Sequence, residues 1–424
     1  MTATVLASGL VARTREIDPP ADLIHELAPD GFAWLEDGAG FVTAGAAARV
    51  PATGARAALA AIAVDDAITE TGTGALAVGA LAFDDPAAGE LVIPARVTGL
   101  RTDGRAWRTE IGPAADSGTP GSSRGGDGGF ADRRRRAGAC DGAKESGDHE
   151  GPTRFTVESR VSRLTWDSQV RALLDAIASG ALAKAVLARE VVVTADAPFD
   201  VGAVVARLRR TQGGCFVFAA DGLVGATPEL LVRRRGATVV SRPMAGTVSR
   251  GATGESDDDA EAALAASVKD GLEHRLVVDS VVNGLRAGGI HVTSVTEPQV
   301  ARLATMSHLA TTITGHAEGT APSALELALA LHPTPAVGGA PRDAAVKMLR
   351  TVETFERGRY AGPVGWLDRR GDGAWGVALR CADLDRSRAR LVAGAGIVAG
   401  SEPDAEWAET QAKLEPMLQV LVRP

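Results

Sequence analysis

Cysteine is scarce in this 424-residue chain: Cys140, Cys215 and Cys381 are far apart, odd in number and without C-x-x-C spacing. Neither a disulfide framework nor a zinc site follows from them. No stretch approaches the roughly 18 uninterrupted apolar residues of a membrane span. Residues 1–13 lack the basic start, the longer apolar run and the small-residue cleavage pattern of a signal peptide. The expectation is a cytoplasmic protein with no membrane partner. Basic excess is missing too: 45 Lys+Arg against 53 Asp+Glu leave a formal charge of −8. That gives no field to attract a polyanion, so nucleic acid is not an expected partner. There is no internal repeat, and no G-x-G-x-x-G or G-x-x-x-x-G-K-[ST] falls between a strand and a helix, so nucleotide folds lose support.

What is present is globular. A chain of this length with 45% hydrophobic residues buries a large core and divides into one large or two ordinary domains. Between residues 112 and 151, Gly, Ser, Asp and Arg replace nearly every branched apolar residue, which predicts a disordered insertion. Four arginines at 133–136 are balanced by Asp127, Asp132, Asp141 and Glu145, so they read as a solvated loop. The chain is thereby divided into an N-terminal α+β part at 1–111, the insertion at 112–151 and a large mixed domain at 152–424. In the first part, FAWL at 32–35 and FVT at 41–43 flank DGAG, a hairpin signal. An Ala-rich helix is expected at 55–68 and a strand at 91–93. In the large domain, Val170, Leu173, Leu174 and Ile177 form a helix stripe closed by Gly180, and 185–193 reads as a strand. Further strands are expected at 215–219, 230–233, 375–382 and 390–393, with helices near 259–287 and 323–331. This order predicts an α+β class, with β-sheets packed between outer helices.

Two acidic pairs have i, i+3 helical spacing: Asp270 with Glu273, and Glu406 with Glu409. Each alone reads as a solvated helix face; if the two faces met across a cleft, four carboxylates would converge and require a hard cation such as Mg2+. Lys184 stands between a helix and an apolar strand, where burial would favour the neutral amine of a general base, although a strand-start lysine commonly snorkels to water. Glu229 directly precedes an apolar strand and reads as a partly buried acid or a strand-edge charge. Gly-rich turns at 243–247, 336–339 and 393–397 let backbone amides approach a ligand. Arg380 and Lys413 are cations available to a carboxylate. His308 fits a core, surface or ligand role.

Taken in order, these segments resemble the chorismate-utilising enzymes, the family of anthranilate synthase component I, aminodeoxychorismate synthase, salicylate synthase and isochorismate synthase. The matching blocks are KAVLAR at 184–189, GATPELL at 225–231, RPMAGT at 242–247, KDGLEH at 269–274 and SHLA at 307–310. They continue with LHPTPAVGG at 331–339, RYAGPVG at 359–365, ALRC at 378–381, AGAGIV at 393–398 and EWAETQAK at 406–413. The resemblance runs from about residue 154 to the C-terminus and is loose before it.

The resemblance implies that family's fold, a chorismate substrate and Mg2+. Aminodeoxychorismate synthases carry a nucleophilic lysine where this chain has Ala245, which excludes covalent capture there. Aminating members usually carry glutamine where this chain has Lys184, so water is the implied nucleophile, and no glutamine amidotransferase subunit is expected. The block at 332–339 looks like that of the isochorismate-forming members. The implied activity is isochorismate synthesis for menaquinone or a catechol siderophore, by a monomer. Salicylate synthesis, with pyruvate elimination, and a silent chorismate-binding protein are the alternatives. By the same resemblance, Lys184 is the base and Glu229 the acid. Glu273 and Glu409 hold the metal, with Asp270 and Glu406 acting through water. Substrate contacts fall to Ala245, Gly246, Thr247, His308, Ala336 and Val337, and to Tyr360, Arg380, Gly394, Gly396 and Lys413.

Overall fold

In the hairpin at the start of the chain, strand Phe32–Glu36 pairs antiparallel with Ala39–Pro51, Trp34 opposite Phe41. Asp37 and Gly38 take positive φ at the turn, as a tight two-residue connection demands. The computed structural model to which these elements belong describes residues 9–114, 151–250, 254–319 and 321–422. Most of the expected insertion, residues 115–150, lies outside the described residues. Its first residues, Gly112 and Pro113, end the strand Ala106–Pro113.

Among the described residues, twenty strands are hydrogen-bonded into one network that joins the N-terminal part to the rest, and three more form a small separate sheet. Pairing is antiparallel except where Leu10–Ile17 meets Ala63–Asp66. That parallel strand corrects the helix expected at 55–68. The helix is only Ala55–Ala61, because residues 63–66 are taken up by the sheet. The strand expected at 375–382 is also two, Gly373–Val377 and Cys381–Asp385, separated at Arg380, whose φ is +49°. The helical stretch near 259–287 is likewise two helices, Gly254–Ala266 and Val268–Ala287, with Ser267 capping the second through its side chain. Helices Arg163–Ala178 and Ala324–Leu331 form as expected, the latter with a full capping box from Ser323 and Glu326.

Apolar residues segregate by sheet face. The largest core cluster contains Trp34, Phe41, Trp107, Trp366 and Trp375. Two others lie beneath helices: Val204, Val205 and Leu208 meet Met417 and Leu421 of the C-terminal helix, while Trp166, Val170 and Leu173 meet Ala185, Leu187 and Leu349. Sheet with helices on its outer faces is the expected α+β arrangement. The small sheet, Met244–Ser249 with Met306–Ala310 and Gln299–Arg302, packs Met244, Ala301 and Ala310 into a small cluster of its own. No described helix is long and apolar enough to cross a membrane.

Candidate active site

Strands Lys184–Ala195 and Arg388–Ile397 build the floor of one pocket. Their register puts Gly396 opposite Val186 and Gly394 opposite Ala188. Period-2 alternation then sorts the side chains: Ala185, Leu187 and Ile397 pack under the outer helices, whereas Val186, Gly394 and Gly396 line the pocket. A Cβ on Gly396 would come within 2.9 Å of Glu273 Oε1 and 3.1 Å of Lys184 Cε. The glycine therefore makes the space in which Lys184, only 1% exposed, donates to Glu273 Oε1 at 2.7 Å. Burial would raise the Glu273 carboxyl, but the Lys184 ammonium and its hydrogen bond hold it below its ordinary value.

The neighbouring edge of the lysine strand is completed by two side chains. Lys184 and Ala185 pair with Gly339–Ala340, and residues 191–195 pair with Phe155–Ser159. In the gap, Arg357 Nη2 donates to Val186 O at 2.5 Å and Ala188 N donates to Glu353 Oε1 at 2.9 Å. Arg357 Nη1 also donates to Val337 O at 2.7 Å, on the pocket wall. The two side chains form a buried fork with each other, 2.6 Å at its closest. They stand in for a strand and hold the register beside Lys184.

Glu229 follows Pro228, which has no N–H to extend the Leu223–Thr227 ladder. Its amide donates to Thr227 Oγ1 at 3.2 Å and its carbonyl accepts from Val377 N, which fixes the backbone at the pocket. Burial pushes its carboxyl up to about 8, against the pull of Lys184, Lys413 and Arg380. The shift favours the protonated form, the state that a general acid needs.

Arg380 occupies its strand break with a left-handed backbone that non-glycine residues seldom adopt. Its Nη2 lies 2.8 Å from Met306 Sδ and 3.3 Å from His308 Nε2, with no carboxylate in salt-bridge range among the described residues. A half-buried guanidinium of this kind suits a carboxylate brought by a ligand. His308 Nδ1 faces Gly246 O at 3.2 Å, an atom that can only accept, and Thr247 Oγ1 at 3.0 Å. The proton therefore sits on Nδ1 and leaves Nε2 to accept from Arg380. Burial, then Arg380 and Lys413, push the ring down to about 3, so it is neutral. Of the roles open to His308 in the sequence, it takes the pocket wall. Tyr360 is raised to about 12 by burial and remains a hydroxyl.

The two acidic pairs face one pocket. Helix Val268–Ala287 carries Asp270 and Glu273, and helix Pro403–Val422 carries Glu406 and Glu409; all four line this pocket. Gly246, at φ +75°, lets the small sheet approach: a Cβ there would lie 3.1 Å from Asp270 Cβ. Lys413 Nζ donates to Glu409 Oε1 at 2.5 Å and to Gly394 O at 3.0 Å. Burial raises Glu406. An all-oxygen, four-carboxylate donor set fits Mg2+. In the present arrangement Glu273 is held by Lys184 and Glu409 by Lys413, and among the described residues no three such groups lie close enough to enclose an ion.

The expected substrate residues Ala245, Gly246, Thr247, His308, Ala336, Val337, Tyr360, Arg380, Gly394, Gly396 and Lys413 all line the same pocket, with Glu229; Lys184 lies behind its wall, reaching it through Glu273. Sequence reasoning misses Val186, Pro228, Met244, Lys269 and Leu379, which also line it. Four of them adjoin an expected residue in the chain and Val186 is two from Lys184, and only Lys269 has a charge that could have drawn attention.

This pocket, framed by two acid-bearing helices, accompanies a fold shared with solved enzymes, and the chain belongs to the chorismate binding enzyme family, whose model matches residues 132–422. It is 44% identical over 271 residues, 61% of this chain and 72% of the other, to a Mycobacterium tuberculosis protein provisionally named isochorismate synthase MenF. Isochorismate synthase DhbC of Bacillus subtilis is 41% identical over 256 residues, 58% of this chain and 64% of its own. The solved structure of MenF, the menaquinone-specific isochorismate synthase of Escherichia coli, matches with a TM-score of 0.77 at 26% identity, covering 98% of this chain and 95% of that one.

Proposed function

We propose that the chain is an isochorismate synthase, converting chorismate to isochorismate by adding water at ring C2 with loss of the C4 hydroxyl. The observation that carries this reading is that a buried carboxyl, Glu229, lines the pocket and a buried lysine, Lys184, stands at its wall against Glu273. Both the Mycobacterium tuberculosis and Bacillus subtilis relatives bear the isochorismate synthase name.

In its neutral form the Lys184 amine still donates to Glu273 and keeps a lone pair for a water molecule. It takes a proton from that water as the oxygen bonds to C2. Both ring double bonds shift, from C1=C2 to C1=C6 and from C5=C6 to C4=C5, and Glu229 gives its proton to the hydroxyl leaving C4. One water enters and one leaves, so the net change is an isomerisation, and the two residues end in opposite protonation states that solvent resets. The Arg380 fork, kept in place by His308, receives a substrate carboxylate, with Tyr360 and Lys413 beside it. Enzymes of this family are generally magnesium dependent. Glu273 and Glu409 would hold Mg2+, with Asp270 and Glu406 behind them through water, and the bound ion supplies positive charge for an anionic substrate. Ala245 offers no nucleophile.

The product feeds menaquinone or catechol siderophore synthesis. The mildly acidic composition fits a cytoplasmic protein, and Lys184 in place of the glutamine of aminating relatives fits one that works, as a monomer, without an amidotransferase subunit. Incubation with chorismate and Mg2+, followed by product separation, tests the function. Isochorismate without pyruvate is expected. Salicylate with equimolar pyruvate would make the chain a salicylate synthase, and no turnover by the folded, Mg2+-supplied protein would leave a silent binder.

A further inference from the structure

Arg189 is a charged residue in the wrong place for a purely structural strand. It belongs to the lysine strand, is 1% exposed, and has no carboxylate in salt-bridge range among the described residues. Burial lowers its pKa only to about 10, so the guanidinium stays charged at neutral pH. A buried cation without an acid is costly and persists where its contacts are demanding.

All of those contacts fall on one turn of helix Pro403–Val422. Arg189 Nε donates to Thr410 Oγ1 at 2.6 Å and Nη2 donates to Gln411 Oε1 at 2.8 Å. The guanidinium carbon lies 3.9 Å from the centroid of the Trp407 ring. Thr410 Oγ1 donates its own hydrogen to Trp407 O at 2.7 Å, which commits the hydroxyl and leaves its lone pairs to Arg189. Arg163 lies over the Trp407 ring as well, at 4.8 Å, and Trp166 meets it edge-on at 5.8 Å. Trp166 Nε1 donates to Pro403 O at 3.0 Å, which ties down the start of the same helix. Glu406 and Glu409 belong to the turns held in this way.

We propose that Arg189 is a positioning residue for the cation site, clamping the turn of Trp407, Thr410 and Gln411 so that Glu406 and Glu409 face the pocket in register with Asp270 and Glu273. The inference rests on the Mg2+ reading above. The clamp controls a sensitive coordinate. Turning a helix by about 10° carries a carboxylate about 6 Å from its axis through about 1 Å, several times the ~0.2 Å tolerance of a metal–oxygen distance. Lysine would not substitute, because a point ammonium cannot bond two acceptors in a plane while stacking on an indole.

The test is isothermal titration of Mg2+ into the whole protein without chorismate, for wild type, Thr410→Val and Arg189→Lys, with circular dichroism to verify each fold. Thr410→Val keeps the side-chain shape and removes only the hydroxyl, so it covers the case in which the arginine variant does not fold. The clamp predicts a Mg2+ Kd weakened about tenfold or more, with kcat recovered when Mg2+ is raised to saturation. A merely structural role would lower the melting temperature and leave Kd alone. A wild type that binds Mg2+ and a folded Thr410→Val that binds it equally well overturn the clamp alone; a wild type that binds none overturns the metal reading and the clamp with it.

Discussion

The Lys184 ammonium and the Glu273 carboxylate are hydrogen-bonded at 2.7 Å in a wall closed over by Gly396. The residue assigned to activate water and a residue assigned to hold the cation therefore share one contact, and neither can be altered without the other registering it. The same contact explains why position 396 has no side chain.

Replacing Lys184 by Gln removes the only proton acceptor assigned to water. The expected loss is about 10²–10⁴-fold in kcat, with KM for chorismate little changed because its carboxylate contacts lie elsewhere in the pocket. Lys184→Arg should fail as well, since a guanidinium stays protonated. Steady-state kinetics check both, and near-wild-type kcat in either variant removes Lys184 from the mechanism.

Glu229 sets the alkaline limit. Its folded pKa is raised to about 8, and the protonated form is the active one, so activity that depends on it is present below that pH and is lost as pH rises through it. Above about 8, log kcat/KM should fall with unit slope in wild type. Glu229→Gln, which has no proton to give, should be about 10²–10⁴-fold slower than wild type below pH 8 and should lack the alkaline fall. A pH–rate profile still flat at pH 9.5 contradicts the acid assignment.

Glu273→Gln keeps an oxygen for Lys184 to bond and deletes a charge from the oxygen donor set. Turnover should vanish while circular dichroism is unchanged, and a chelator should abolish wild-type turnover until Mg2+ is restored. Full activity in chelator refutes the metal assignment.

Arg357→Met leaves the Glu353 carboxylate, 5% exposed, without its partner and strips the acceptors Val186 O and Val337 O of their donor. Breaking a buried pair in this way costs about 3–5 kcal/mol, measurable by urea unfolding. Glu353→Gln in the same chain should recover part of that, because the orphaned charge is then gone. A loss under 1 kcal/mol in Arg357→Met contradicts the strand-completing role.

Local patterns in the chain carried far. The hairpin around Asp37 and Gly38, the stripe of Val170, Leu173 and Ile177, and the spacing of both acidic pairs are readable because each is set by neighbours within a turn or two. What stays hidden is set across the fold. Residues 63–66 leave an Ala-rich helix because Leu10–Ile17 offers a strand partner some fifty residues earlier. The strand expected at 375–382 breaks at Arg380 because the guanidinium is turned into a pocket. Val186 and Leu379 are ordinary apolar residues until register and a backbone break place them at the wall. The use of Glu353 and Arg357 as a substitute strand has no local signature, since it requires a gap in an edge that only the assembled sheet contains.

The most direct measurement of the central claim follows the oxygen. Chorismate incubated with the protein and Mg2+ in ¹⁸O-enriched water, stopped at low conversion, should give isochorismate carrying one ¹⁸O at C2, with no pyruvate released. Isochorismate that retains the original C4 oxygen would show that the hydroxyl migrates within the substrate, and the roles given to Lys184 and Glu229 would then be wrong.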